Sequence, residues 1–501
     1  MTYFFETYGC QMNIAESAAV EQVLLARGWT KADNVEVCDM VIINTCSVRA
    51  TAETRIYGRL GYFDGLKKLR AGDPDAKTRS LEIAAAYVKD GARPITVVVM
   101  GCMAERLLKT MQKDFPVVDY VVGTYAKSHF DEIITEVESR AARQSSATRQ
   151  SSATAAPQPH AEHAPLSTNE RIANRENHVV LDDTHQYQFA KLSYEQGSFT
   201  SFVPIMHGCN NFCTYCIVPY VRGREVSRPV NEILSELDEL SKRGVKEITL
   251  LGQNVNSYHG VMNEGDTGIA DINFPALLKR VTNHLCESDS PIKWVHFISS
   301  HPKDLSDELI DVIANDPLIC HHIHLPVQNG STRVLKEMNR RYTRENYLAL
   351  VNRIRTRIPD ISLTTDVMLG FPGETDDDVA DTISLMKEVR YESAFMYYYN
   401  PREGTPAATM ANQIPVEEKK DRLQKIIDLQ LVITREEMTK RIGSTVEVLV
   451  QSVSRDNEKE VLAKTPQDEN IVFEGDKSLI GNFARVNITA LNGNTFKGVV
   501  C

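Results

Sequence analysis

The sequence predicts an α/β chain in three folded parts: an N-terminal α/β layered domain, a central partial barrel of six β/α units, and a small C-terminal β-barrel. Three observations predict it. Apolar strand-like runs alternate with helical ones up to about residue 138, six further pairs fill residues 198–412, and five short runs broken by Asn, Asp and Gly occupy residues 443–501. Strand–helix alternation implies parallel βαβ units, whereas short strands separated by turn residues imply a small closed barrel. A chain of 501 residues exceeds what one hydrophobic core supports. The expected parts are 1–138, a linker and lead-in over 139–197, 198–440 and 441–501.

In the first part, strands are expected over residues 3–7, 40–44, 95–100 and 120–122, with an amphipathic helix over 13–27 stopped by Gly28. Cys10, Cys46 and Cys102 each fall where such a strand ends. The carboxyl ends of strands in an open α/β sheet face the ligand crevice, so thiols from three strands can converge on one metal site. The polar stretch 64–94 reads as a helical insertion that adds no ligand. From residue 139 to 177 the composition turns to Ser, Ala, Gln, Pro and Thr, and Arg-Gln-Ser-Ser-Ala-Thr at 143–148 repeats at 149–154, which reads as a disordered linker.

The central part places strands near Phe202, Ile248, Val295, Ile323, Leu363 and Phe395. Six units are too few for an eight-stranded barrel, so an open barrel is expected, with its chemistry at the carboxyl ends of the strands. After the first of them comes Cys209-Asn-Asn-Phe-Cys213-Thr-Tyr-Cys216, a C-x3-C-x2-C loop. Three thiolates on one short loop can hold three corners of a four-iron cube and leave the fourth iron open to a chelating substrate. Zinc is the competing reading, but a structural zinc wants four protein ligands, and only His207 offers a nearby fourth.

Composition narrows the classes. The chain is 42% apolar and 25% charged, with no apolar run long enough to span a bilayer and no secretory signal at its start, so a cytoplasmic protein with reduced thiols is expected. Ten cysteines then point to metal binding or catalysis rather than disulfides. Cys38, Cys286, Cys320 and Cys501 stand outside any such motif and are expected to be unligated. A net charge of −11 excludes indiscriminate coating of nucleic acid but not a local basic groove.

The cysteine loop resembles the signature of the radical S-adenosylmethionine (SAM) superfamily, and further phrases resemble its methylthiotransferase family. These are Tyr8-Gly-Cys-Gln-Met-Asn13, Asn44-Thr-Cys46, Gly101-Cys-Met-Ala-Glu-Arg106, Leu251-Gly-Gln-Asn-Val-Asn-Ser-Tyr258, His324-Leu-Pro-Val-Gln-Asn-Gly330 and Gly370-Phe-Pro-Gly-Glu-Thr375. The resemblance implies two [4Fe-4S] clusters, one on Cys209, Cys213 and Cys216 that cleaves SAM to a 5′-deoxyadenosyl radical, and one on Cys10, Cys46 and Cys102. It also implies that the last part is an RNA-binding TRAM domain. The separation of Cys46 from Cys102 is longer than the family leads one to expect; the Gly-Cys-Met-Ala context keeps Cys102 in the ligand set. Gln11, the run Cys216-Ile-Val-Pro-Tyr-Val-Arg-Gly-Arg-Glu225 and Gly252-Gln-Asn254 are most similar to the branch acting on prenylated adenosine in tRNA. That implies 2-methylthiolation of N6-isopentenyladenosine beside the anticodon. The implied partners are a tRNA anticodon stem-loop, an electron donor such as flavodoxin or ferredoxin, and a sulfur donor, with the chain acting as a monomer. A base must be unstacked for attack at carbon 2, and an anticodon loop presents it so at low cost.

Gln253, Ser299, Gln328 and Asp366 fall near strand ends and are expected to contact SAM or the nucleoside. If the run at 320–328 is extended, Cys320, His322, His324, Pro326 and Gln328 share a face; a metal site there competes with a packed, hydrogen-bonded strand. Arg222 and Arg224 suit either a phosphate or the SAM carboxylate, or a surface or ion-paired role. Tyr397, Tyr398 and Tyr399 are expected to pack the core. Two other readings stay open: a methylthiotransferase for threonylcarbamoyladenosine in tRNA or for a ribosomal-protein aspartate, and a noncatalytic iron-sulfur sensor that binds RNA.

Overall fold

In a computed structural model of the chain, the structure describes residues 1–47, 50–73, 82–88, 93–151, 179–180, 187–263 and 269–501. Two units separate by their internal contacts: Met1–Gln196 with Tyr220–Gly223, and Gly197–Pro219 with Arg224–Cys501.

The first unit is built on strands Thr2–Thr7, Thr30–Lys31, Met40–Thr45, Thr96–Gly101, Tyr120–Val122 and Val179–Val180, all paired in parallel. Their order across the sheet is second, first, third, fourth, fifth, sixth. Parallel sheets are covered on both faces, so their strands read as continuous apolar runs. Here Val41, Ile43, Val97, Val99 and Val121 face Ile56, Leu60, Phe63 and Leu66 of helix Ala50–Arg70. The alternate residues Met40, Ile42, Val98, Met100, Tyr120 and Val122 face Val20 and Leu24 of helix Gln11–Ala26 and Phe130, Ile133 and Ile134 of helix Phe130–Ser151. The period-2 alternation of a strand thus feeds two cores.

One difference from the sequence reading arises here. Helix Phe130–Ser151 carries the chain into the stretch expected to be a disordered linker, because Arg, Ala and Gln there are good helix formers; the remainder of that expectation, at 152–177, lies outside the described residues. Within the polar stretch 64–94, read as a helical insertion, residues 64–70 end helix Ala50–Arg70 and Glu82–Ala85 form a short helix, while the other described residues are turns and coil.

The second unit carries six strands at the six expected places: Thr200–Pro204, Glu247–Leu251, Trp294–Phe297, His322–His324, Ser362–Leu369 and Ser393–Tyr398. They pair in parallel in chain order as two groups of three, and the parallel bridge Val295↔Ile319 links the third strand to the lead-in of the fourth. Helices Val230–Lys242, Phe274–Glu287, Asp307–Asn315, Arg344–Arg357, Asp376–Val389 and Val416–Thr439 follow the strands in turn. An antiparallel hairpin, His259–Asn263 with Ile269–Asn273, escaped the sequence reading, since its turn residues interrupt what reads as one loop.

Strands Thr445–Val453, Glu460–Lys464, Asn470–Glu474, Phe483–Asn492 and Thr495–Val500 close a five-stranded barrel. Its interior holds Val448, Val450, Val461, Ala463, Ile471, Phe473, Val486, Ile488 and Phe496, with Met438 of the preceding helix packed among them.

Candidate functional site

The order of the first sheet reverses between its first and third strands, and ligands in open α/β sheets gather outside the carboxyl ends at such a switch point. Cys10 follows the first strand, Cys46 the third and Cys102 the fourth. Cys10 caps helix Gln11–Ala26 and Cys102 opens helix Cys102–Arg106. Their loops are tied together by two buried asparagines. Asn13 Oδ1 accepts from the Cys10 backbone N–H at 3.2 Å and lies 3.3 Å from its thiol; Asn13 Nδ2 donates to Asn44 Oδ1 at 2.8 Å and to the Thr45 carbonyl at 3.1 Å. Asn44 Nδ2 in turn donates to the Asn13 carbonyl at 2.8 Å and to Ser17 Oγ at 3.1 Å. Gly101, at φ +94°, lets the fourth strand pass so close that a Cβ would stand 2.5 Å from Asn44 Oδ1.

Burial pushes the Cys102 thiol up to about 12, and the charges of Cys10 and Cys46 are near enough to add to the rise, while Arg222 opposes it. Arg222 Nε donates to Cys102 Sγ at 3.1 Å and Nη1 to Glu16 Oε1 at 2.8 Å. Of the two roles open to Arg222, the ion-paired one is observed.

In the second unit, residues 209–216 form a loop braced from residues 337–340. Asn339 Nδ2 donates to the carbonyls of Asn211 at 3.2 Å and Phe212 at 3.0 Å, and Thr214 Oγ1 donates to the Glu337 carbonyl at 2.9 Å. Arg340 Nη1 lies 3.5 Å from Cys213 Sγ, with Nη2 donating to the Pro326 carbonyl at 2.9 Å. Burial pushes Cys209 up to about 11 and Cys216 to about 12, with neighbouring thiols adding to each. Arg224 is exposed and stacks over the Phe212 ring at 4.4 Å, in keeping with the surface role left open for it.

Both trios offer soft thiolate donors, three apiece, in buried polar settings that suit an iron-sulfur cluster. Among the described residues, no three of His, Cys, Asp and Glu gather as they would around a single ion.

Gln328 and Asp366 are brought together. Gln328 N–H donates to the Asp366 carbonyl at 2.8 Å, and the Tyr397 hydroxyl donates to Gln328 Oε1 at 2.8 Å. That bond fixes the amide oxygen as acceptor and leaves its amino group to donate. Tyr397 packs with Tyr399 against Val334, Met338, Met368 and Phe371, as expected of it, and the charges of Asp366, Arg340 and Cys216 also bear on its hydroxyl. Ser299 accepts from Val255 N–H at 3.1 Å through its carbonyl, tying its loop to the one that carries Gln253. Phe212, Ser299 and Gln328 have φ of +49°, +72° and +67°; strained backbone of this kind in non-glycine residues clusters at functional sites.

The expected shared face at 320–328 fails at its end, because the strand covers only His322–His324 and Gln328 turns to positive φ. His322 and His324 both meet Thr364 Oγ1, at 3.2 and 3.0 Å, the hydrogen-bonded arrangement rather than a metal site. The phrases around Asn329 and Glu374 hold each other: Asn329 Nδ2 donates to Glu374 Oε1 at 2.9 Å, and Glu374 pairs with Arg422 at 3.1 Å. Arg340 was missed because its partner cysteine lies 127 residues away in sequence; the Asn-Arg-Arg run at 339–341 was the signal available.

Residues 203–386 match the radical SAM superfamily, residues 2–123 the uncharacterized protein family UPF0004, and residues 439–501 the TRAM domain. The chain is 49% identical over 499 residues to a tRNA-2-methylthio-N(6)-dimethylallyladenosine synthase of Treponema denticola, covering 99% of both chains. Proteins of the same name from Treponema pallidum and Clostridium botulinum are 48% and 37% identical, covering 99% of this chain and 98% and 96% of theirs. Among solved structures, a radical S-adenosylmethionine methyltransferase from Kitasatospora setae, with cobalamin and a [4Fe-4S] cluster bound, matches with a TM-score of 0.52 at 14% identity, over 81% of this chain and 77% of that one. Among the described residues no helix is long and apolar enough to cross a membrane.

Proposed function

This chain belongs to the family of tRNA-2-methylthio-N(6)-dimethylallyladenosine synthases, radical SAM methylthiotransferases, and from that premise we propose that it adds a methylthio group to carbon 2 of N6-isopentenyladenosine beside the anticodon of tRNA. The observation that carries the reading is the presence of two separate thiol trios, Cys10, Cys46 and Cys102 in one unit and Cys209, Cys213 and Cys216 in the other. Generating a radical and delivering sulfur each need an iron with an open coordination position, which explains two sets of three.

With [4Fe-4S] clusters and SAM bound, the metal centres supply one-electron SAM cleavage and the transferred sulfur. The chain's own residues aim that chemistry. Asn339 and Thr214 fix the 209–216 loop, Arg340 sets a positive charge beside Cys213, and Asn13 with Asn44 holds the Cys10 and Cys46 loops in register. Gln328, held by Tyr397, together with Gln253, Ser299 and Asp366, supplies polar contacts for SAM and the nucleoside. The TRAM domain grips the anticodon stem-loop, a low-potential protein such as flavodoxin or ferredoxin supplies electrons, and a separate donor restores sulfur. The chain works as a monomer in the cytoplasm.

The test is deletion of the gene in its host, complementation with wild type or Cys102→Ala, and mass spectrometry of tRNA nucleosides. Only the wild type restores 2-methylthio-N6-isopentenyladenosine. Unchanged levels of that nucleoside after deletion, in a host without a second such enzyme, overturn the substrate assignment.

A further inference from the structure

The segment Tyr220–Gly223 follows the 209–216 loop in sequence but belongs by its contacts to the first unit. It is seated by several independent interactions. Thr124 Oγ1 donates to the Val221 carbonyl at 2.8 Å, and the Tyr125 hydroxyl donates to the Arg222 carbonyl at 2.9 Å. Gly223, at φ +69°, brings the backbone so near that a Cβ would stand 1.9 Å from the Tyr125 hydroxyl. This seat delivers Arg222, 2% exposed, to Cys102 at 3.1 Å, with Glu16 on another of its nitrogens at 2.8 Å. Burying a guanidinium is costly unless its partners are well placed. An aliphatic side chain would fill such a space without that cost, so the charge itself calls for a role.

We propose that Arg222 is a positioning residue that hydrogen-bonds the Cys102 thiolate of the N-terminal iron-sulfur cluster and raises that cluster's reduction potential, with Glu16 moderating the effect. The inference rests on the two-cluster reading above. One-electron reduction adds a negative charge to the cluster. A cation and a hydrogen-bond donor on one of its sulfurs favour the more negative state, most strongly where water is excluded. The Glu16 carboxylate, bonded to the same guanidinium at 2.8 Å, acts in the opposite direction.

The test uses the full chain carrying Cys209→Ala, Cys213→Ala and Cys216→Ala, so that only the N-terminal cluster gives a signal. Its midpoint is read by EPR during anaerobic titration with dithionite, the external one-electron reductant. Arg222→Gln is expected to lower the midpoint and Glu16→Gln to raise it, each by at least a tenfold change in the reduction equilibrium, about 59 mV for one electron. Arg222→Lys, which keeps the charge and loses the planar fork, lies between Arg222→Gln and the parent. Opposite shifts from the two neutralising changes are not what a purely packing role produces. Midpoints that stay together, or move in the same direction, overturn the proposal. If Arg222→Gln fails to hold a cluster, the sign of the Glu16→Gln shift decides. A parent that binds no cluster overturns the two-cluster reading instead, and iron analysis separates that outcome from the others.

Discussion

At Gly101 the backbone takes φ +94° directly before Cys102, and a methyl group there would stand 2.5 Å from Asn44 Oδ1 and 2.6 Å from the Thr45 carbonyl. Backbone at φ +94° and ψ −161° is essentially reserved for glycine and costs another residue about 1–3 kcal/mol before any clash is counted, and both clashing atoms belong to the frame that holds Cys46. Gly101→Ala is therefore expected to cost the N-terminal trio its iron while leaving the 209–216 loop loaded. Iron analysis of the purified protein then falls from two clusters' worth to one; full iron content would show that the Asn13–Asn44 frame tolerates displacement. The cysteines were legible in the sequence because each carries a short local phrase. The asparagines stood in the same phrases, but their scaffold role depends on a bond across 31 residues, which no local pattern displays. Arg222 could be narrowed to two roles and no further, for the same reason.

Strand alternation made most elements legible, since a buried parallel strand must be apolar on both faces and a barrel strand must deliver polar residues at its end. Where the reading failed, tertiary context had the deciding vote: Gln328 leaves the strand direction to meet Tyr397 and Asp366. The histidines of this region carry a pH dependence. His322 is buried and its pKa is lowered to about 4, chiefly by desolvation, with the charges of Asp468 raising it and those of His324 and Lys464 lowering it. Its ordinary value is 6.5, so between 6.5 and 4 the unfolded chain binds more protons than the folded one. The stability it contributes is then full above pH 6.5 and is lost as pH falls toward 4, by about 3 kcal/mol. His296, lowered to about 3 by burial and by His322, adds in the same direction. His322→Gln is expected to flatten the fall in melting temperature over this range; an unchanged slope would place the acid sensitivity elsewhere.

For the molecule as a whole, three parts could be read in order because each announces itself separately: thiols at strand ends, the C-x3-C-x2-C loop with six strand–helix pairs, and short strands rich in turn residues. The assignment of Tyr220–Gly223 to the first unit could not be read, because it contradicts sequence order and rests on contacts made 97 or more residues away. The stretch at 64–94 lies within a chain whose relatives align over 99% of it. Two trios with two tasks is the central claim, and the direct measurement is an anaerobic reaction of the reconstituted chain with SAM, a reductant and an anticodon stem-loop carrying N6-isopentenyladenosine. The wild type is expected to yield 5′-deoxyadenosine and the 2-methylthio nucleoside, Cys102→Ala to yield 5′-deoxyadenosine alone, and Cys213→Ala to yield neither. Methylthiolation by Cys102→Ala, or a wild type that ignores this RNA and modifies one carrying threonylcarbamoyladenosine, would contradict the account.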